Sequence, residues 1–102
     1  MLIALLTFSQ NKAQAATYMD GHNQWLKQGF DEGVFLLAGS LTPKQGGAVI
    51  AHDMSKAAFE KRVSEDPFVQ HNVVNAEILE IAPAKVSNAL LFLMPEETPT
   101  SV

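Results

Sequence analysis

With 102 residues, no cysteine and a formal net charge of −4, the chain has room for one hydrophobic core. It lacks the basic footprint that nucleic acid or an anionic membrane surface requires. The missing cysteines exclude disulfides, a thiolate nucleophile and cysteine-held metal, and suit a cytoplasmic protein; no apolar run approaches the roughly 20 residues of a membrane span.

Met1 to Ser9 is an apolar run of strand length. Ala13-Gln14-Ala15 mimics a signal-peptidase site, but no basic residue precedes the apolar run, so a strand is expected rather than a secretion signal. From Lys12 to Phe30 the pattern is helical, with Asn11 as the cap and Gly29 and Gly33 as stop signals. Ala15, Met19, His22, Leu26 and Phe30 fall in one row at helical spacing, flanked by Tyr18 and Trp25, and such a row faces a core. Gly21 costs the helix about 1 kcal/mol relative to alanine, yet the row stays in phase across it, so one helix is expected. An imidazole in that row is either a packed core histidine or a reactive group at the floor of a pocket.

Val34 to Leu41 reads as the second strand, and Leu41 to Gly47 holds the turn residues of a connection. Gly47 to Asp53 is the third strand, paired with the second as a hairpin. Ser55 caps a helix whose apolar side is Ala58, Phe59 and Val63. Asp66-Pro67 opens a short turn or helix through His71. Asn72 to Ile81 is the fourth strand, with Val74, Ala76 and Ile78 on one face and Val73, Leu79 and Ile81 on the other; Pro83 ends it. Val86 to Met94 is apolar and fits strand or helix equally. The polar stretch from 95 to 102 is expected to be a flexible tail beyond a single domain over 1–94.

The order β-α-β-β-α-β predicts an α+β fold of the ferredoxin-like type, two helices on one face of a four-stranded antiparallel sheet. LIALL and VFLLA are apolar at successive positions, so both sheet faces should be buried, and two helices cover only one. A second copy stacked sheet to sheet would cover the other, giving a homodimer. The competing solution folds the segment Val86 to Met94 back over that face.

Few residues carry chemistry by pattern alone. Asp66 before Pro67 suits a helix N-cap followed by proline at the first helical position. A carboxylate can also accept an imidazole N–H, fix its tautomer and raise the basicity of the other nitrogen. Ser40 ends a strand where a pocket mouth would lie, or is an ordinary turn residue. His52 and His71 show no metal-ligand spacing, so no metal is expected. Gly46-Gly47 lacks the flanking pattern of a phosphate loop, and no dinucleotide fingerprint is present, so no cofactor is expected.

The segments GHNQWL, GVFLLAGSL, GGAVIAHD and EDPFVQHNVVNAEILEI together resemble the YciI-like (YCII-related) family across about residues 1–85. H-x-x-W-L, G-x-x-L-x-A-G and D-P-F in this order carry the resemblance. The family often has proline after the A-G, where this chain has Ser40. The resemblance implies a dimeric α/β-barrel arrangement of the ferredoxin-like type, and an active-site pair formed by His22 and Asp66. The family's activity is mostly unsettled, but that pair together with an imidazole on a core-facing row leads to the expectation of a cofactor-independent enzyme doing acid–base elimination or isomerisation on a small, cyclic or aromatic molecule. In that expectation His22 is the base or acid, Asp66 orients it, and Tyr18, Trp25 and Phe68 supply apolar walls beside Ser40. The alternative is a non-catalytic dimeric module that binds a small ligand.

Overall fold

The computed structural model describes residues 1–94; the expected tail over 95–102 lies outside the described residues. Four strands, β1 (Leu2–Phe8), β2 (Phe35–Leu41), β3 (Gly46–Ala51) and β4 (Val74–Glu80), form one antiparallel sheet in the order β2-β3-β1-β4. Helices α1 (Ala15–Asp31), α2 (Lys56–Ser64) and the one-turn α3 (Pro67–Gln70) complete the expected ferredoxin-like α+β fold. Alternation in β1 turns Leu2, Ala4 and Leu6 to the helices, where they pack with Val49, Ala51 and Val74 against Trp25, Phe59, Val63 and Phe68.

Local chemistry accounts for the helix ends. Ser55 Oγ accepts the Ala58 N–H at 3.1 Å, the cap expected for α2. Ala58, expected on the apolar side, is exposed, while Phe59 and Val63 are buried. Helix α1 ends on Gly33, whose φ of +77° is unfavourable for residues with a side chain. The Val34 N–H then bonds to Gly29 C=O and the Gly33 N–H to Phe30 C=O, closing the orphan carbonyls of the last turn.

Four sequence expectations for α1 need correction. Lys12 to Gln14 is a separate 3-10 turn, and Asn11 makes no side-chain cap; its Nδ2 donates to the His71 carbonyl at 3.0 Å. Gly29 is not a stop but a buried position inside the helix, lying against the ring of Phe35. Because that missing side chain lets the helix settle on Phe35, the most inward line is Tyr18, His22, Trp25 and Gly29; of the expected row Ala15 and Leu26 pack against the core, but Met19 and Phe30 do not turn inward. Trp25 is only 6 % exposed, whereas Met19 and Phe30 are 40 % and 43 % exposed.

On β4, Val74, Ala76 and Ile78 pair with Phe8, Leu6 and Ala4 on the helix side, as expected. Val73 instead joins the core, because Asn72 takes a left-handed φ of 57° and breaks the alternation just before the strand. The second sheet face carries an apolar row across all four strands, Leu37–Ile50–Ile3–Leu79 in register, with Leu37 52 % and Leu79 41 % exposed. Residues 84–94, the described part of the segment after Pro83, leave Leu37 and Leu79 exposed. Asn88–Leu93 is neither strand nor α-helix but a kinked pair of 3-10 turns. Its Phe92 ring packs edge-on to His52 at 5.3 Å, and Leu90 and Leu91 remain exposed. Six residues are too few for an α-helix to persist without a face to pack on.

Arg62 on α2 clamps the end of α1. Its guanidinium donates through both Nη atoms to the Glu32 carboxylate and lies over the Phe35 ring, while its carbonyl accepts the Trp25 Nε1–H at 3.0 Å. The Arg62 hydrogen bonds hold the Glu32 carboxyl below its ordinary range, and the same pairing raises the Arg62 guanidinium. A carboxyl lowered on folding contributes stability above its unfolded-state pKa and loses that contribution as pH falls through the folded value. Glu32→Gln is therefore expected to flatten the acid limb of a Tm-against-pH curve below about pH 5; a curve parallel to wild type would remove the pair from acid unfolding.

Candidate functional site

His22 and Asp66 come from elements far apart in sequence. His22 lies in the middle of α1, and Asp66 precedes α3, where its carboxylate accepts the Phe68 N–H at 3.0 Å and Pro67 occupies the first helical position. The two elements meet at Gly21. A Cβ there would stand 3.1 Å from Pro67 Cγ, tighter than ordinary van der Waals contact, so the glycine that weakens the helix also lets α3 approach it. The approach brings His22 Nδ1 to 2.8 Å from Asp66 Oδ1.

Exposure divides the pair: the His22 side chain is 13 % exposed and that of Asp66 is fully buried. An ionised carboxylate has no proton to give, so Nδ1 carries the hydrogen and donates to Oδ1. In the neutral ring Nε2 is then the unprotonated nitrogen. The Phe68 ring stacks on the imidazole at 4.1 Å and 6° between planes, fixing its orientation. Asp66 Oδ2 is buried without a hydrogen-bond partner among the described residues, an arrangement that costs about 1–3 kcal/mol.

A cavity of about 320 Å³ opens beside this pair, between α1 and the helix-facing side of β2 and β3. His22, Ser40 and Phe68 line it, as the sequence suggested. Tyr18 and Trp25 do not. Tyr18 stacks on His71 at 3.9 Å, and the Trp25 indole turns into the core to reach Arg62. Their places are taken by Met19, Asn23 and Leu26, which the sequence reading missed. The signal was available: these positions flank His22 on the side of α1 away from Trp25, and His22 itself marks the cavity edge. Polar lining is sparse, chiefly the His22 ring, the Asn23 carboxamide and the Ser40 hydroxyl over apolar walls, the usual make-up of a small-molecule site. Among the described residues no group of His, Asp and Glu side chains is arranged to hold a metal ion, and no helix is long and apolar enough to cross a membrane.

Comparison with curated proteins finds no match. Among solved structures the chain is similar to 5-chloro-2-hydroxyhydroquinone dehydrochlorinase from Burkholderia phenoliruptrix AC1100, in complex with 2,5-dihydroxybenzoquinone. The TM-score is 0.64 at 13 % identity, covering 79 % of this chain and 93 % of that one, a likeness of fold. The YCII-related domain matches residues 1–83, nearly the whole of the sheet and helices just described; the chain belongs to the YCII-related domain family.

Proposed function

We propose that the cavity is the active site of a cofactor-independent enzyme that eliminates from, or isomerises, a small cyclic or aromatic molecule. The supporting observation is the 2.8 Å contact between His22 Nδ1 and Asp66 Oδ1 at the cavity wall. It leaves Nε2 as the proton acceptor for a bound substrate. In an elimination, Nε2 takes a substrate proton, the freed electron pair forms the new π bond, and the leaving group departs with its bonding pair. In an isomerisation the same proton returns to a different carbon. Asp66 stabilises the imidazolium formed in either case. The similar dehydrochlorinase acts, by its name, on a chlorinated hydroxyhydroquinone, a reaction of the first kind on a molecule suited to the apolar walls here.

The test uses 5-chloro-2-hydroxyhydroquinone as probe and follows chloride release. Wild type is expected to release chloride, and His22→Ala to do so about 10²–10⁴-fold more slowly. Equal rates in both would take His22 out of the chemistry. Binding of 2,5-dihydroxybenzoquinone with no turnover of any chlorinated probe would favour the non-catalytic module.

The reading includes a cytoplasmic homodimer stacked through the face that bears Leu37, Ile50, Ile3 and Leu79. The apolar row supports it, since a face of that kind is costly to leave in water. Wild type is expected to sediment at twice its 11.1 kDa chain mass, and Leu37→Glu as a monomer. A monomeric wild type at about 100 μM would sink this part of the reading.

A further inference from the structure

A second cavity, of about 400 Å³, lies at the mouth of the first and shares Phe8, Ser40 and Gly46 with it. Two cations line it, Lys12 from the 3-10 turn before α1 and Lys44 from the β2–β3 connection, together with the Thr42 side chain. Among the described residues no carboxylate lines either cavity. This is unusual in a chain of net charge −4, in which Lys27 and Arg62 are paired with Asp31 and Glu32. Lys12 and Lys44 form no ion pair among the described residues.

Both lysines are held near the mouth by backbone structure. The Phe8 N–H donates to the Gln45 carbonyl at 3.0 Å, tying the β2–β3 connection to the end of β1. Lys44 sits in that connection at a φ of 48°, within the turn that precedes β3. The Lys12 ammonium lies 4.9 Å over the Phe8 ring, a cation–π contact that holds it above a residue lining both cavities. Positive charge at the rim of a low-dielectric cleft attracts anions and orients them as they enter.

We propose that Lys12 and Lys44 form an anion-binding mouth, so that the substrate is a small ring compound carrying an anionic oxygen group, a carboxylate or an ionised phenol. The ring enters the apolar cavity beside His22 and the anionic group stays at the lysines. This substrate class rests on the proton-transfer reading of the same site, but the mouth is tested by binding alone. The probes are 2,5-dihydroxybenzoate and hydroquinone, which share the ring and its hydroxyls and differ in the carboxylate. Binding is followed by NMR shifts of the His22 ring and of the Thr42 and Lys44 amides.

Wild type is expected to bind the dihydroxybenzoate about tenfold tighter than hydroquinone, with the preference shrinking as salt rises. Lys12→Gln combined with Lys44→Asn, both exposed positions and the latter tolerant of a left-handed φ, should abolish the preference and leave hydroquinone binding unchanged. Lys12→Glu, which lowers the charge at the mouth by the same two units, should also abolish the preference. Equal affinities in wild type, a preference that survives the double substitution, or no binding of the dihydroxybenzoate at about 10 mM would each overturn the mouth. None of these results bears on chloride release or its dependence on His22, so the two readings fail separately.

Discussion

Asp66→Asn is expected to lower turnover by about 10²–10⁴-fold while the chain stays folded. The asparagine carbonyl can still accept the Phe68 N–H that the Asp66 carboxylate accepts at 3.0 Å, so α3 keeps its cap. The amide nitrogen would take the place of Oδ2, which already lacks a partner, so the local cost of the swap is small. What disappears is the negative charge behind the imidazole. Without it the protonated ring that must form during the reaction loses its counter-charge, although the carbonyl oxygen that faces Phe68 still accepts the Nδ1–H. The loss should therefore fall on kcat, with KM nearly unchanged. The ¹H shift of the His22 Nδ1–H gives a reading that a purely structural Asp66 would not move: it should lie far downfield in wild type, bonded to a carboxylate, and move upfield in the variant, bonded to an amide carbonyl. Full turnover together with unchanged ring shifts would reduce Asp66 to a helix cap.

Phe59→Ala should cost about 3–5 kcal/mol, since the ring is fully buried. The ring has no exposed surface and meets Phe35 edge to face at 6.4 Å between centroids. It joins α2 to the sheet through Phe35 of β2. A chain of this length has about 5–15 kcal/mol in all, and each kcal/mol shifts Tm by about 4–8 °C. A Tm drop of at least about 12 °C is expected by calorimetry. A drop of less than about 4 °C would mean that the core is not built around this ring. Phe59 does not line the cavity, so the variant should keep wild-type turnover at temperatures where it remains folded.

The sequence made legible those features that are local. Ser55 and Asp66 carry their capping roles in residue type and position, and short apolar runs bounded by turn residues located the four strands to within about two residues. The apolar second face of the sheet followed from consecutive hydrophobic residues in the first two strands. The contact between His22 and Asp66 spans 44 residues, and no spacing rule predicts it; family resemblance suggested it, and Gly21 against Pro67 is the physical means. The walls of the cavity were partly misread because the flanking aromatics Tyr18 and Trp25 were taken for them, whereas Met19 and Leu26, in the row with His22, line it. The rotation of α1 is set by Gly29 seating on Phe35, a constraint expressed through a missing side chain, and this sends Trp25 inward and brings Asn23 to the cavity. Val73 was misplaced because a single left-handed residue, Asn72, interrupts the alternation that the argument relied on.

One carboxylate serves both as the cap of α3 and as the partner of His22. A serine at position 66 could still receive the Phe68 N–H, and it would bring no second oxygen to bury. Selecting variants for heat resistance alone would therefore favour that replacement and drift toward a sturdier but inactive protein. Any thermostabilisation campaign on this scaffold needs an activity screen run in parallel at that codon.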